Sequence, residues 1–298
     1  MTERRAAVVG AGRMGLAIAH LFASAGICVT VVEPSSAAIA GAAERLRAIS
    51  RARAIDDGAL SAIDFIAAIE AVPADVEIVI EAAPEHLEIK REIFARLDAR
   101  CSPRTILATN TSAIPVTRMA DATSQPARVV GTHFWNPPYR VRLVEVVQAA
   151  VTAPDTVERT IALMREIGQE AVHVKRDIPG FIGNRLQHAL KREAIALVQA
   201  GVCDAETVDL VVKHGFGARL GIMGPLEQSD LVGLDLTLAI HSVLLSDLDV
   251  SATPQQLLVD LVAAGNTGVD AGRGFRTWTA AERAELKERL DRFAGPTS

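Results

Sequence analysis

The chain has 298 residues and a formal net charge of −5, with 49% hydrophobic and 22% charged residues, as expected of a globular protein of about two domains. The charges are spread out and form no basic stripe that would indicate nucleic-acid binding. No stretch predicts a signal peptide or a membrane span, and three widely spaced cysteines form no metal or redox pattern, so we expect a cytoplasmic protein.

The N-terminal elements follow the order of a dinucleotide site. A short apolar strand, Ala6 to Gly10, leads into the sequence Gly10-Ala-Gly-Arg-Met-Gly15 and then into a helix from Leu16 to Ala25. A second strand, Cys28 to Val32, ends at Glu33. The order of strand, glycine turn, helix, strand and acid predicts a parallel sheet that binds a dinucleotide.

Each glycine of this loop has a predicted role. Gly10 permits the tight turn, Gly12 lets the backbone approach a pyrophosphate, and Gly15 lets the helix pack closely on the strand. Glu33, 18 residues beyond Gly15, would accept hydrogen bonds from the adenosine ribose and repel a 2′-phosphate, which predicts NAD rather than NADP. The predicted cofactor-binding residues of this region are Gly10, Gly12, Arg13, Met14, Gly15 and Glu33.

Polar side chains follow the next two predicted strands. Glu85 comes shortly after the predicted strand Val76 to Glu81, and Asn110 and Ser112 follow the predicted strand Thr105 to Thr109. The carboxyl ends of parallel strands face the ligand crevice, so we expect these side chains to lie near the glycine loop. The helical segment between the second and third strands carries four arginines for which a solvated helix face is the favoured interpretation: Arg45, Arg47, Arg51 and Arg53.

The segment Gly131 to Val147 carries a histidine, His133, before a rigid Asn-Pro-Pro turn and a carboxylate, Glu145, in the apolar run that follows. The prolines force the chain to leave the first strand and re-enter elsewhere, which can bring Glu145 back to His133. A carboxylate beside an imidazole fixes its tautomer and favours its protonated form, as a proton-abstracting base requires. The alternative is a surface histidine and an unrelated glutamate.

After a predicted hinge at Asp177 to Gly180 the periodicity becomes wholly helical. The run Leu226 to Leu245 is long and apolar, and such a helix needs partners on most sides, which predicts a homodimer through this domain. The Thr279-Ala-Ala-Glu282 capping box predicts the start of a last helix that reaches about Phe293. The predicted fold is an α/β Rossmann-type dinucleotide-binding domain, residues 1–178, followed by an all-α C-terminal domain, residues 179–298.

Over nearly its whole length the sequence resembles the 3-hydroxyacyl-CoA dehydrogenase family. The motifs that carry the resemblance are the glycine loop, Glu81-Ala-Ala-Pro-Glu85, Thr109-Asn-Thr-Ser112, His133-Phe-Trp-Asn136-Pro, Leu143-Val-Glu145-Val and Pro179-Gly-Phe-Ile-Gly-Asn184-Arg. Their spacing fits as well, since Ser112 lies 21 residues before His133 and Glu145 lies 12 after it. The resemblance implies NAD-dependent oxidation of a 3-hydroxyacyl-CoA, or a closely related 3-hydroxy acid, to its 3-oxo product.

The resemblance also implies roles for single residues. His133 would be the base that takes the proton of the 3-hydroxyl, Glu145 would pair with it, and Ser112 and Asn184 would bind the substrate's oxygens. Four further residues match positions that the family uses around the cofactor: Glu85, Lys90, Asn110 and Asn136. No metal is required, and the remaining histidines lack the spacing of metal ligands.

Two departures leave the substrate open. The segment Ser36 to Asp57 is shorter and poorer in lysine than the helical lid that helps hold CoA phosphates in the acyl-CoA enzymes. The sequence from Trp135 to Tyr139 resembles that of relatives that oxidise free hydroxy acids such as L-gulonate, L-carnitine or pyridine carboxylates. Arg140 and Arg142 would then bind a substrate carboxylate, unless they are solvated loop arginines. A crystallin-like protein that binds NAD without turnover is a more distant alternative.

Overall fold

The structure, a computed structural model, describes residues 3–292 apart from the side chain of Asp291. Its chain forms two compact units that divide between Arg185 and Leu186. The sequence-based boundary after residue 178 stays a prediction. Phe293, the predicted end of the last helix, lies outside the described residues.

The first unit contains one eight-stranded sheet. Its strands are β1 (Arg5–Val9), β2 (Cys28–Val32), β3 (Ile63–Ile66), β4 (Ile78–Glu81), β5 (Ile106–Thr109), β6 (Val129–Phe134), β7 (Leu143–Val147) and β8 (Glu170–Val174). Their spatial order is β3-β2-β1-β4-β5-β6-β7-β8, and every neighbouring pair is parallel except β6 and β7, which are antiparallel. The helices of this unit are α1 (Arg13–Ser24), α2 (Ser36–Ala40), α3 (Ala42–Arg53), α4 (Leu87–Arg100), α5 (Val116–Ala120) and α6 (Pro154–Glu166).

Both faces of this sheet are covered, which explains why its central strands read as continuous apolar runs. One apolar cluster packs α1 on the sheet through Phe22 and Ile80, and the other packs α4 through Phe94 and Val79. All four side chains are fully buried. The sheet is therefore a rigid base for the loops at its edges, and the predicted Rossmann-type fold is confirmed.

The order of the strands places the ligand crevice. From β1 the chain runs outward to β2 and β3 on one side, whereas β4 to β8 lie on the other side. Ligands of open α/β sheets bind at such a switch point, outside the carboxyl ends of the strands. The glycine loop after β1 and the loop after β4 therefore share one edge.

The second unit is helical. Its helices are α8 (Ala205–His214), α9 (Pro225–Val232), α10 (Leu234–Leu244), α11 (Gln256–Ala263) and α12 (Ala280–Arg292), and most of α7 (Gly183–Gln199) also belongs to it. The predicted capping box of the last helix is confirmed, because Glu282 N–H donates to the Thr279 hydroxyl at 3.2 Å and Thr279 N–H donates to the Glu282 carboxylate at 2.8 Å.

The prediction of one helix from Leu226 to Leu245 is wrong. Gly233 adopts a φ of 98° between α9 and α10, a backbone conformation that interrupts the helix and favours glycine. No residue of α7 to α11 is buried in the single chain. Within residues 3–292 no helix has both the length and the apolar character needed to cross a membrane.

Candidate active site

The glycine loop joins β1 to α1 by close packing. A Cβ at Gly10 would lie 2.9 Å from the carbonyl oxygen of Ala82, and one at Gly15 would lie only 1.9 Å from the carbonyl oxygen of Gly10. At Gly12, by contrast, an added Cβ would meet no protein atom within 4 Å. Gly12 is also the N-cap of α1 and offers no side-chain cap, so the first N–H groups of the helix remain available to an anion. This arrangement fits a pyrophosphate.

A cleft of about 700 Å³ lies beside this loop. Its lining includes the predicted residues Gly10, Gly12, Arg13, Met14 and Glu33. Another part of its wall is apolar and consists of Ala83 and Pro84, after β4, with Ile89 and Ile93 of α4. Sequence reasoning missed this wall, because small apolar residues carry no chemical signature. An apolar wall beside a phosphate-binding loop suits a ligand that has both a flat base and phosphates.

Glu33 and Arg45 hold the backbone of Ala11 from two sides. The Glu33 carboxylate accepts the N–H of Ala11 at 2.9 Å and the N–H of Ser35 at 2.9 Å. Nη1 of Arg45 donates to the carbonyl of Ala11 at 3.0 Å, and its other nitrogens donate to carbonyls of the α2–α3 segment. Arg45 is exposed, as expected of a solvated helix face, and its side chain also holds the glycine loop in place.

His133 and Glu145 lie opposite each other in the antiparallel register of β6 and β7. Nδ1 of His133 is 2.8 Å from Oε2 of Glu145, and the two residues are only 5% and 1% exposed. The predicted contact is therefore present. Because Nδ1 contacts a carboxylate, which can only accept, the neutral ring carries its proton on Nδ1. Nε2 is then free to accept a hydrogen bond or a proton from another group.

The second oxygen of Glu145 is also occupied. Oε1 accepts the N–H groups of Ile182 and Gly183 at 2.9 and 3.0 Å. Burial disfavours the charged carboxylate, but the bonds from His133 and from these two N–H groups outweigh it and lower the pKa of Glu145. Glu145 therefore stays ionised beside the imidazole. Sequence reasoning did not foresee that the backbone at the start of α7 would supply these donors.

Aromatic rings flank the imidazole of His133. Its centroid is 5.7 Å from the ring of Trp135 and 5.6 Å from that of Phe181, which is fully buried. Trp135 packs so closely on the start of α7 that a Cβ at Gly183 would approach its ring to 2.2 Å. These contacts restrict the ring orientation of His133 and shield it from water.

The turn after β5 adjoins both the histidine strand and α7. The side-chain oxygen of Asn110 accepts the N–H of Phe134 at 2.9 Å, next to His133. The side-chain amide of Asn184 donates to the carbonyl of Ser112 at 3.2 Å, while Ser112 itself is exposed. The structure therefore brings together the two residues predicted to bind substrate oxygens.

Glu85 and Lys90 occupy different environments. Lys90 is 1% exposed, and its ammonium donates to both oxygens of Glu81 at 2.7 and 2.9 Å. Glu85 is partly exposed and lies 3.3 Å from the same ammonium. Lys90, expected around the cofactor, is instead enclosed by protein, so its role in cofactor binding stays a prediction and would have to act through Glu85.

The remaining predicted residues lie on the loop between β6 and β7. Asn136 is exposed. The guanidinium of Arg140 lies 5.9 Å from the centre of the Tyr139 ring, and Nε of Arg142 donates to the carbonyl of Gly168 at 2.9 Å. Arg142 therefore binds the backbone just before β8 and not a group beside His133. A carboxylate clamp made by both arginines stays a prediction.

Comparison with protein families gives two consecutive matches. A model described as "3-hydroxyacyl-CoA dehydrogenase, NAD binding domain" matches residues 5–178, and one described as "3-hydroxyacyl-CoA dehydrogenase, C-terminal domain" matches residues 180–278. The chain belongs to the 3-hydroxyacyl-CoA dehydrogenase family. Its cofactor is therefore NAD, and it is an oxidoreductase that acts on a CH–OH group.

Relatives within the 3-hydroxyacyl-CoA dehydrogenase family differ in their substrates. The chain is 38% identical to a probable 3-hydroxybutyryl-CoA dehydrogenase of Bacillus subtilis, over 92% of this chain and 97% of that protein. It is 32% identical to the 5-formyl-3-hydroxy-2-methylpyridine 4-carboxylate 5-dehydrogenase of Mesorhizobium japonicum, over 95% and 94%.

Solved structures repeat this division. A 5-formyl-3-hydroxy-2-methylpyridine 4-carboxylic acid 5-dehydrogenase, described as an NAD+-dependent dismutase, matches with a TM-score of 0.89 at 32% identity, over 98% of this chain and 96% of that one. The (S)-3-hydroxybutyryl-CoA dehydrogenase of Ralstonia eutropha matches with a TM-score of 0.76 at 31% identity, over 93% and 100%. The family therefore includes similar structures that act on a pyridine carboxylic acid and on a CoA thioester.

The family's chemistry agrees with the side chains of this member. Among the described residues, no group of three or more His, Cys, Asp or Glu side chains is arranged to hold a metal ion. The glycine loop and the cleft beside it fit the dinucleotide, as described above. The buried His133–Glu145 pair lies on the same sheet, at the carboxyl end of β6.

Proposed function

We propose that the chain oxidises the 3-hydroxyl of a 3-hydroxyacyl-CoA, or of a closely related 3-hydroxy acid, to the 3-oxo product, with His133 as the base. The observation that carries the proposal is the buried 2.8 Å contact between Nδ1 of His133 and Glu145. It orients the ring so that Nε2 can accept a proton, and the carboxylate stabilises the imidazolium that forms.

One pair of residues would transfer the proton and another pair would bind the substrate. Bound NAD supplies the acceptor for the hydride that leaves the alcohol carbon. Nε2 of His133 takes the hydroxyl proton, while Glu145, held by the N–H groups of Ile182 and Gly183, keeps the ring in place. Ser112 and Asn184 would bind oxygens of the substrate, which their mutual contact of 3.2 Å supports.

Formation of NADH by the purified chain tests this proposal. The chain is assayed with 3-hydroxybutyryl-CoA and with free 3-hydroxybutyrate, and the heat-inactivated protein serves as the control. We expect substrate-dependent NADH formation. If NADH binds but none of the 3-hydroxy substrates is oxidised, the chain is a cofactor-binding protein without turnover and the proposal is wrong.

A second candidate substrate is a free hydroxy acid. It is favoured by the contacts that the arginines of the α2–α3 segment make within the protein. Arg45 braces the glycine loop, Arg51 pairs with Glu44 at 2.7 Å, and Arg53 donates to Ser24 at 2.8 Å. The segment has no lysine between residues 36 and 57. Most of its arginines bind groups within the protein, which leaves few cations to bind the phosphates of CoA. The TM-score of 0.89 with the pyridine-carboxylate enzyme supports the same candidate.

Matched substrates separate the two candidates. NADH formation is compared for 3-hydroxybutyryl-CoA, free 3-hydroxybutyrate, L-gulonate and L-carnitine. A strong preference for the thioester supports a CoA enzyme. Activity on a free acid alone supports the second candidate, and Arg140→Ala should then raise the KM for that acid more than the KM for NAD.

We also propose that the chain acts as a homodimer through its helical unit and resides in the cytoplasm. The break at Gly233 removes the single long helix on which the dimer was first argued, but the apolar surface remains. Leu226, Leu238 and Val243 are 69% to 79% exposed in the single chain, and such surfaces are usually covered by a partner.

Light scattering at micromolar concentration should give the mass of a dimer. Val243→Glu should shift it toward the monomer, and Val151→Glu in the first unit should not; a monomeric wild type would contradict the proposal.

A further inference from the structure

The turn that leads into α7 has a strained backbone. Gly180 and Phe181 have φ values of 75° and 49°, so two successive residues lie in the left-handed region. A bulky side chain is rare there, because its Cβ comes too close to the carbonyl oxygen that follows. Phe181 is fully buried, and its ring centroid lies 5.6 Å from that of His133. Such strain persists only where surrounding contacts hold it, and it is typical of functional sites.

This turn supplies two backbone donors to Glu145. Directly after Phe181, the N–H groups of Ile182 and Gly183 donate to the same carboxylate oxygen at 2.9 and 3.0 Å. The other carboxylate oxygen lies 2.8 Å from Nδ1 of His133. A shift of the turn would therefore weaken two of the three bonds that hold the carboxylate. The orientation of the His133 ring thus depends on the position of the start of α7.

Trp135 packs against the same turn. A Cβ at Gly183 would lie 2.2, 3.1 and 3.2 Å from the indole atoms Cζ2, Cη2 and Cε2, so a side chain at position 183 would collide with the ring. The indole also lies beside His133, with the ring centroids 5.7 Å apart. Its N–H is buried and makes no hydrogen bond to any described residue, so packing alone holds the ring. Trp135 therefore contacts both the imidazole and the turn that holds Glu145.

We propose that Trp135 and Gly183 are positioning residues for the His133–Glu145 pair. Because Gly183 has no side chain, the indole packs on the start of α7 and keeps the N–H groups of Ile182 and Gly183 on the carboxylate. The carboxylate in turn orients the imidazole. A displacement of about 1 Å at a reacting group can lower a rate on the order of 100-fold. This inference rests on the proposed function, in which His133 is the base.

An exchange of side-chain size between the two positions tests the inference. Gly183→Ala places a methyl group inside the indole, so either the ring or the turn has to move. Trp135→Phe removes no hydrogen bond, and its smaller ring leaves room for that methyl group. Both single variants and the double variant are compared for kcat, for KM of the substrate and for the dissociation constant of NADH. Two residues that act as a unit have non-additive effects.

The expected result is a rescue by the second substitution. Gly183→Ala should lower kcat roughly 10-fold or more, with the dissociation constant of NADH changed less than about 3-fold. Trp135→Phe should not raise kcat in the wild type, but in the Gly183→Ala background it should raise kcat roughly 3-fold or more. Gly221→Ala, where an added Cβ would meet no atom of the described residues within 4 Å, is the matched control and should leave kcat unchanged.

Three outcomes would overturn the inference: a wild-type kcat in Gly183→Ala, a double variant no faster than Gly183→Ala, or a loss of NADH affinity as large as the loss of kcat. If Gly183→Ala folds too poorly to be assayed, the double variant is compared with Trp135→Phe. The two should then agree in kcat within about 3-fold, and a slower double variant would count against the inference. Absence of wild-type turnover would instead refute the proposed function.

Discussion

Glu145 lies 2.8 Å from Nδ1 of His133 because β6 and β7 pair these two residues directly across an antiparallel register. Strand pairing is a stronger constraint than a flexible loop, since a slip by one residue would turn Glu145 to the other face of the sheet. The two N–H groups that bind its second oxygen fix the carboxylate further. The imidazole of His133, the proposed base, is therefore held in place by the protein itself.

Removing the charge of Glu145 should slow turnover without preventing cofactor binding. Glu145→Gln preserves the shape of the side chain but no longer stabilises an imidazolium at His133. We expect kcat to fall about 100-fold, within the range for loss of general-base assistance, with the dissociation constant of NADH unchanged. Steady-state kinetics and fluorescence titration measure the two quantities, and Glu170→Gln on β8 is an exposed control. Equal kcat in Glu145→Gln and wild type would show that the carboxylate does not assist the base.

Gly12 and Gly15 should separate cofactor binding from folding. A Cβ at Gly12 meets no protein atom within 4 Å, so Gly12→Ala should fold normally but obstruct the pyrophosphate. A Cβ at Gly15 would collide with the carbonyl of Gly10, so Gly15→Ala should lower the melting temperature. Calorimetry measures the melting temperature of each variant, and titration with NADH measures its affinity for the cofactor. Tight NADH binding by Gly12→Ala would mean that the pyrophosphate does not lie at this loop.

Arg45 should contribute to cofactor affinity although it lies outside the lining of the cleft. Arg45→Met removes its bond to the carbonyl of Ala11 and loosens the glycine loop. Hydrogen bonds to charged groups contribute about 1.5 to 3 kcal/mol, so we expect the KM for NAD to rise roughly 10-fold with little change in kcat. Arg47→Met, an exposed neighbour on α3, should have no such effect. Equal KM values in the two variants would contradict the role of Arg45.

His20 should make the first unit sensitive to mild acid. His20 lies on α1 and is 1% exposed, with its Nε2 3.0 Å from the hydroxyl of Ser50 on α3. Burial, with a contribution from Arg53, lowers the pKa of His20 from 6.5 to about 4. As the pH falls from 6.5 toward 4 the unfolded chain binds a proton that the folded chain does not, so the free energy of unfolding decreases. The expected decrease is about 1.4 kcal/mol per pH unit.

Urea denaturation at several pH values measures this dependence. His20→Asn removes the titrating group and should flatten the slope in this window, whatever its effect on stability at neutral pH. His173→Asn, at an exposed position on β8, should leave the slope unchanged. A slope that is the same in His20→Asn and wild type would assign the acid sensitivity to other groups.

The sequence predicted those parts of the site that depend on local pattern. The glycine loop and Glu33 follow from the order of strand, turn and helix, and the meeting of His133 with Glu145 follows from two strands joined by an Asn-Pro-Pro turn. Such features need few long-range contacts. They were therefore readable before the structure was known.

The parts that were missed depend on tertiary contacts. Arg45 reaches back 34 residues to Ala11, and Glu85 reaches forward 27 residues to Ser112, and neither distance has a sequence signature. Gly233 was overlooked because a single glycine is often tolerated within a helical pattern at a cost of about 1 kcal/mol. Its φ of 98° shows that here it separates two helices.

The most direct test of the central claim is turnover and cofactor binding in His133→Ala, compared with His173→Ala as an exposed control. The account predicts that His133→Ala binds NADH as tightly as the wild type but has a kcat lower by roughly 100-fold or more. His173→Ala should match the wild type in both measurements. A His133→Ala variant that turns over substrate at nearly the wild-type rate would contradict the assignment of His133 as the base.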